Sequence, residues 1–445
     1  VLVVEDYHRD YEGVTVIRVK DSRYAMGRLA ANYFGQPAQA LNMIGVTGTN
    51  GKTSVAFMAD ALLRTLGHTT GLLGTVVNRI GDEELKVKRT TPESLDLQAL
   101  LARMAANGCS HACMEVSSHA VVLHRIAGCS FDAGILTNIT QDHLDFHKSF
   151  EEYLAAKKSF LENEVSADGV KVLNRDDPHF DAVRSGLAGR VVTYGIDSAD
   201  ADVRATDIVF DSNGIAFIVN SAGADSFRVE SGLLGLFNVY NALAVIAWAL
   251  ATGVTPQAVQ STLQAMPCMP GRFEKIDQGQ AFTVIVDYAH TPDGLVNVLQ
   301  SARRICKGRL IVVFGAGGDR DRSKRPLMGR AAANLADFAV VTSDNPRTEY
   351  PYRIIEQIVG GIELELEQDA ASRKFKYLVE EDRYTSIHAA VNGARDDDVV
   401  VIAGKGHEDY QIFKDRTIHF DDRVVARKIL QERMGHGASD TGTGG

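Results

Sequence analysis

The chain has no apolar run near the roughly 20 residues that span a bilayer. Its first residues also lack the basic, apolar and small-residue order of a secretory signal. No membrane insertion and a cytoplasmic location are therefore expected. The five cysteines, Cys109, Cys113, Cys129, Cys268 and Cys306, form no C-x-x-C pair, and an odd count does not suggest a disulfide framework. They are expected to be buried thiols. With 47 Lys and Arg against 57 Asp and Glu the net charge is -10, so the basic face of a nucleic-acid binder is missing. An anionic small substrate remains allowed, because cations gather locally at Lys52, at Arg320 to Arg325 and at Lys405 to His407.

What is present is the composition of a globular protein, 45% apolar and 23% charged, in a chain of 445 residues that calls for two or three domains. Val14 to Val19 alternates like a strand, and Tyr24 to Phe34 reads as a short helix. A buried strand, Leu41 to Val46, runs into a glycine loop, and a helix follows with Val55, Met58, Ala59, Leu62 and Leu66 on one face. From Val203 to Val229 short alternating segments surround the turn signals Asp211 to Gly214 and Ala222 to Asp225, which predicts an antiparallel hairpin insert. An alanine-rich helix, Asn238 to Ala251, closes that region. Beyond a linker near Met266 to Gly271, the strands Phe282 to Val286, Leu310 to Phe314, Phe338 to Thr342 and Val399 to Ala403 alternate with helices. That alternation predicts a second, doubly wound parallel sheet and an α/β fold throughout. The glycine-rich stretch 435–445, with serine and threonine, is expected to be disordered.

The loop Gly48-Thr49-Asn50-Gly51-Lys52-Thr53, set between strand and helix, is where backbone N–H groups and a helix N-terminus cradle phosphates. Lys52 is placed to reach the β and γ phosphates of ATP and Thr53 to ligate Mg²⁺. Such a loop alone fits kinases, switch GTPases, motor ATPases and ligases.

Other polar clusters narrow the choice. Glu115, in Met114 to His119, falls near a strand end, where a carboxylate can hold magnesium. Taken alone it would be a surface acid. Thr137 to His147 packs two histidines and two aspartates after an apolar run, and one histidine there could ligate a metal. The last sheet's strands end in Asp287 to Pro292, Gly315 to Pro326, Ser343 to Arg347 and Gly404 to Glu408. The second of these, a glycine turn with four cations, reads as an anion site. Strand ends carrying Asp, Arg, Arg and Glu describe a cleft for a ligand with both amino and carboxylate groups.

In this order, from about Val16 to Met434, the motifs resemble the Mur ligases of peptidoglycan synthesis, and among them the members that add meso-diaminopimelate. The resemblance implies a remnant of an N-terminal UDP-binding domain over 1–40, a central ATP-binding domain over 41–268 and an amino-acid-binding domain over 269–434. It implies an ATP-dependent amide ligase, a monomer, that joins meso-diaminopimelate to the D-glutamyl carboxylate of UDP-MurNAc-L-Ala-D-Glu through an acyl phosphate. Gly48 to Ser54 match the family's ATP loop, with Lys52 catalytic. Thr53, Glu115, His143 and Lys157, the last carbamylated, match the holders of two Mg²⁺ ions. Spacing alone makes Lys157, in Tyr153-Leu154-Ala155-Ala156-Lys157, an ordinary helix-surface lysine. Asn238, Asn241, Arg272, Asp287 and His290 fall in stretches that face the nucleotide. Thr90, Thr91, Ser117 and Arg125 match positions that hold the muramyl dipeptide, although Leu123 stands where the family often has glutamine. Asp344, Asn345, Pro346 and Arg347, with Arg320, Gly404 and Glu408, match the diaminopimelate site. A guanidinium fork there suits the distal carboxylate that L-lysine lacks.

Overall fold

The computed structural model describes residues 1–6, 12–142, 146–211, 214–221, 224–368 and 374–439. The chain forms two compact units, one of 1–207, 217–229 and 239–266, the other of 208–216, 230–238 and 267–445. Among the described residues no helix is long and apolar enough to cross a membrane.

At the start, Leu2–Val4 pairs in parallel with Val16–Arg18, and the helix Ser22–Tyr33 is capped by Asp21, whose carboxylate accepts from the Tyr24 N–H. The main sheet is eleven-stranded. Asn42–Thr47 lies at its centre, between His111–Glu115 and Phe131–Leu136, with Thr70–Leu73 and Val165–Asn174 outside them. These pairings are all parallel. The central strands are apolar almost throughout, as strands covered on both faces must be. Helix Lys52–Thr65 buries Val55, Met58, Ala59 and Leu62, the face expected from their spacing, whereas Leu66 caps the helix and is exposed.

Two glycines inside strands admit a helix unusually close. A Cβ on Gly45 would stand 2.5 Å from the Phe160 ring, and one on Gly134 would stand 3.3 Å from it. Phe160 belongs to helix Phe150–Asn163, so this close approach brings the helix that carries Lys157 onto the strand that feeds the glycine loop.

The predicted insert appears as the strands Val203–Asp211, Gly214–Ser221 and Ala224–Ser231, adjacent to one another at one edge of the main sheet. Residues 212–213 and 222–223 of its two turns lie outside the described residues. At the other edge, Asn78–Ile80 and Glu83–Leu85 pair antiparallel.

The second unit holds a six-stranded sheet in the order Glu274–Ile276, Thr283–Asp287, Val399–Ala403, Leu310–Phe314, Phe338–Val341, Lys376–Val379. Only the first pairing is antiparallel. Leu310, Val312 and Phe314 enter one core cluster and Ile311 and Val313 another, so the period of two divides each strand between helix layers on both faces. That is the doubly wound arrangement the alternation predicted. The outer strands Glu274–Ile276 and Lys376–Val379 were not legible in the pattern, being short and half-exposed. The closing helix runs to Ser439, into the stretch expected to be disordered, while 440–445 lie outside the described residues.

Of the five thiols, Cys109, Cys113 and Cys129 are buried, but Cys268 and Cys306, in the connections before strand Glu274–Ile276 and after helix Pro292–Ile305, are only half-buried.

Candidate functional site

In the first unit the site begins where strand Asn42–Thr47 ends. Gly48 at φ +141 and Gly51 at φ +87 take backbone conformations that side chains rarely adopt. A Cβ on either would overlap Thr137 or Asn241, so Asn241 stands beside the loop. The loop is stitched to the end of the neighbouring strand. The Thr49 N–H donates to the Asn138 carbonyl at 2.8 Å, the Asn50 N–H donates to Asn138 Oδ1 at 2.9 Å, and Thr137 Oγ1 donates to the Asn50 carbonyl at 2.5 Å. Thr49, Thr53 and Ser54 are buried around the helix start.

Lys52 Nζ donates to the carbonyls of Gly48 (2.9 Å) and Thr49 (2.8 Å). Lys157 Nζ, on a residue only 1% exposed, donates to the same Gly48 oxygen at 2.6 Å and lies 4.5 Å from the centre of the Tyr153 ring. The expected surface lysine is therefore a core residue. Burial, and then the neighbouring charge of Lys52, hold its amine well below the usual lysine range. The Tyr153 hydroxyl meets Thr49 Oγ1 at 2.9 Å, and burial raises its phenol so that it keeps its proton.

Strand register sets Glu115 opposite Val46, one residue short of the loop strand's end. Its carboxylate, 1% exposed, accepts from Thr53 Oγ1 at 2.9 Å, the Thr75 N–H at 2.7 Å and Thr75 Oγ1 at 3.0 Å. It is thus no surface acid. Two hard oxygen donors, Thr53 and Glu115, stand side by side, as magnesium prefers. His143, the third expected ligand, lies outside the described residues.

The same strand end gathers the four residues matched to the muramyl dipeptide. Thr91 Oγ1 donates to the Glu115 carbonyl at 2.8 Å and accepts from the Ser117 N–H at 3.2 Å. Thr90 Oγ1 meets Thr75 Oγ1 at 3.1 Å. Arg125 pairs with Glu93 at 3.0 Å and donates to the Thr91 carbonyl, while its buried Nε finds no hydrogen-bond partner among the described residues. Leu123 uses its backbone here, its carbonyl accepting from Arg23 Nε at 2.9 Å.

In the second unit the strand ends bring a cluster of buried polar residues together. Asp344 Oδ1 accepts from the Asn345 N–H at 2.6 Å, and its buried Oδ2 has no hydrogen-bond partner among the described residues. Burial works against its charge, but Lys405, Arg383 and the Asn345 N–H outweigh it and hold the carboxyl below its usual range. Gly404, at φ +120, lies against that free oxygen, where a Cβ would stand 2.5 Å away. The fully buried Lys405 donates to Asn345 Oδ1 and Glu408 Oε2, both at 3.2 Å, and Asn345 Nδ2 donates to Glu408 at 2.8 Å. Burial raises the Glu408 carboxyl in spite of Lys405. Beneath them the buried pair Arg383–Asp422 ties the strand ends together, Arg383 also donating to the carbonyls of Ser343 and Ala403.

Arg347 stands at φ +52, held by its N–H on the Ile412 carbonyl (3.0 Å) and by Nη1 on the Gly318 carbonyl (2.8 Å). The buried Pro346 closes on Gly318, leaving no room there for a Cβ. The cation-rich loop, expected as an anion site, pairs most of its cations within the unit. Arg325, 0% exposed, forms a bidentate pair with Glu349 at 2.8 and 3.0 Å, Arg322 joins the same carboxylate at 3.2 Å, and Lys324 donates to the His290 carbonyl. Arg320 stays exposed. Two more contacts zip the two loops together: the Asp319 N–H donates to Glu349, and Thr348 donates to Asp319.

Four expected nucleotide-facing residues also belong to this unit. Asp287 accepts from the Phe273 and Ala289 N–H groups, both at 2.7 Å, and burial pushes its carboxyl up to about 6. The Arg272 guanidinium lies 4.7 Å from the centre of the Tyr288 ring. His290 Nδ1 donates to the Tyr288 carbonyl at 2.8 Å, which leaves Nε2 as the ring's acceptor in the neutral form. Asn238 spends its amide on the Leu234 carbonyl at 2.8 Å.

Thr75, Arg383, Tyr153 and Glu349 escaped assignment from sequence, and Lys405 was named only as one of a local cluster of cations. For Lys157 and Arg325 a signal was available. Lys157 shares the apolar stripe of Tyr153, Phe160 and Leu161, and Arg325 that of Met328, Gly329 and Ala332, at three- and four-residue spacing.

Residues 46–249 match the Mur ligase middle domain and 271–406 the Mur ligase glutamate ligase domain. The chain is 43% identical over 424 residues to the UDP-N-acetylmuramoyl-L-alanyl-D-glutamate--2,6-diaminopimelate ligase of Clostridium botulinum, covering 95% of this chain and 84% of that one. It is 43% identical to the ligase of the same name from Bacillus cereus, with the same coverage. A solved structure of an enzyme so named superposes with a TM-score of 0.67 at 34% identity, over 96% of this chain and 86% of the other. Mycobacterium tuberculosis folylpolyglutamate synthase, complexed with ADP, shares the fold at a TM-score of 0.67 and 19% identity, over 87% of this chain and 93% of that one.

Proposed function

The chain belongs to the Mur ligase family, and from that premise we propose that it joins meso-diaminopimelate to UDP-MurNAc-L-Ala-D-Glu at the expense of ATP. The D-glutamyl carboxylate attacks the γ-phosphate, giving an acyl phosphate and ADP. The diaminopimelate amine then attacks the acyl carbon, and inorganic phosphate leaves as the amide forms.

The first unit handles the phosphates. The stitched loop offers backbone N–H groups and a helix N-terminus, and Lys52 turns from the loop carbonyls to the β and γ oxygens. Thr53 and Glu115 fit a magnesium ion, being oxygen donors 2.9 Å apart on rigid elements, and Lys157 as a carbamate, with His143, would complete two such sites. Bound magnesium would neutralise the charge that gathers as carboxylate and triphosphate approach. The burial that depresses the Lys157 amine keeps its lone pair free to add to CO₂, with loss of one proton, and so supports the carbamate. Thr90, Thr91, Ser117 and Arg125 hold the acceptor beside this carboxylate cluster.

One observation carries the choice of amine: Asp344 keeps a buried carboxylate oxygen without a hydrogen-bond partner among the described residues, suited to an ammonium, in the same loop whose Arg347 guanidinium, anchored on the Gly318 carbonyl, would suit a carboxylate. Asn345, Glu408 and Gly404 surround Asp344, with Arg320 exposed at its loop. The test is phosphate release with ATP, Mg²⁺ and UDP-MurNAc-L-Ala-D-Glu, supplying meso-diaminopimelate, L-lysine or no amine. Release that requires meso-diaminopimelate is expected. Equal release with lysine would overturn the amine, and full release with no amine would overturn ligation itself.

A further inference from the structure

Thr75 sits in the turn after strand Thr70–Leu73 and touches both halves of the first unit's chemistry. Its Oγ1 lies 3.0 Å from Glu115 Oε2 and 3.1 Å from Thr90 Oγ1, and its N–H donates to Glu115 Oε1 at 2.7 Å. A hydroxyl carries one hydrogen and two lone pairs, so Thr75 cannot donate to both neighbours. The carboxylate is the stronger acceptor and takes the hydrogen. Thr90 must then donate to Thr75, which turns the Thr90 hydrogen inward and leaves only its two lone pairs for other partners.

The turn is built to hold this geometry. Gly74 lies so close to Glu115 that a Cβ there would stand 2.6 Å from Oε1. Buried Asn78 accepts from the Gly74 N–H at 3.1 Å. The next residue, Arg79, is paired to the buried Asp60 of the helix that follows the glycine loop.

We propose that Thr75 is a positioning residue that couples the acceptor-binding Thr90 to Glu115, so that a cation at Glu115 and the acceptor at Thr90 sense each other. The proposal rests on the reading of Glu115 and Thr90 given above. A cation that engages Glu115 Oε2 competes for the lone pair that Thr75 uses. Thr75 is then free to turn its hydrogen onto Thr90, and Thr90 to point its own outward as a donor to the acceptor's oxygens. The two ligands thus strengthen one another through one reversible hydroxyl.

Calorimetry of UDP-MurNAc-L-Ala-D-Glu binding to the full chain, with and without Mg²⁺, reads this coupling without turnover. We expect magnesium to tighten acceptor binding roughly tenfold, and by linkage the acceptor to tighten magnesium binding by the same factor. Thr75→Val keeps the N–H bond to Glu115 and should reduce both effects to less than about twofold, while Thr75→Ser should retain them. Thr90→Val removes the other end of the link and should erase the same coupling, which keeps the test sound should the Thr75 variant not fold. Coupling that survives Thr75→Val or Thr90→Val, or is absent from the wild type, overturns the proposal. A wild-type chain that does not bind the acceptor at all sinks the functional reading first, a result distinct from acceptor binding that ignores magnesium.

Discussion

Lys157 donates to the carbonyl oxygen of Gly48 at 2.6 Å, and so a buried amine is fastened to the backbone of the phosphate loop itself. The bond fixes the amine beside Lys52, whose charge adds to burial in depressing it. The arrangement favours chemistry over stability, since a buried cation must be desolvated at every pH at which it is protonated.

Lys157→Met is expected to abolish ligation and yet to unfold at a higher temperature than the wild type in magnesium- and CO₂-free buffer near neutral pH. The folded amine titrates below its unfolded value of 10.5, so the unfolded chain binds more protons in between. Wild-type stability must therefore rise with pH across that window, and the advantage of Lys157→Met should shrink toward pH 10. Thermal unfolding at several pH values checks both points.

Arg347 holds a left-handed backbone conformation that costs an ordinary residue about 1–2 kcal/mol. Arg347→Gly should therefore leave the melting temperature unchanged or raised. Its KM for meso-diaminopimelate should rise roughly tenfold to a hundredfold, as loss of a charged hydrogen bond implies. Steady-state kinetics beside calorimetry separates the two effects.

Glu349 is held down to about 2, first by its hydrogen bonds from Arg325, so its stabilisation is complete above the usual 4.5 and fades as pH falls from there toward 2. Glu349→Gln should be less stable than wild type at neutral pH, and the gap should close over that acidic range. Urea titrations at neutral pH and near pH 3 measure the gap. The variant should also bind meso-diaminopimelate less tightly, because Glu349 zips the loop that carries Arg347 to the one that carries Arg320.

Asp422→Ala leaves the fully buried Arg383 without its carboxylate and should cost about 3–5 kcal/mol. Replacing both residues, as in Arg383→Met with Asp422→Leu, should cost less. Chemical denaturation of the three chains gives the comparison.

What could be read from the residues was what they do locally. The glycine loop announces itself because a tight turn, a lysine and a helix start are neighbours in the chain. The strand Leu310–Phe314 does so because five apolar residues suffice for a covered strand. Lys157 and Arg325 were visible in principle on apolar helix stripes, but their charge argued for the surface, and only partners far along the chain, Gly48 and Glu349, make their burial tolerable. Thr75 gives no signal at all, since its meaning lies in Glu115 and Thr90, 40 and 15 residues away. Strand register brings such groups together, and register is settled by the whole sheet.

The zipper between residues 315–326 and 343–349 bears on how new amines could be accommodated. Arg347 takes its position from Gly318, and Thr348 and Glu349 take theirs from Asp319. A protein engineer who transplants the second loop alone would deliver its side chains without the surface that aims them. The two segments form a two-piece cartridge, to be exchanged together while Lys52, Glu115 and Lys157 in the other unit are left as they stand.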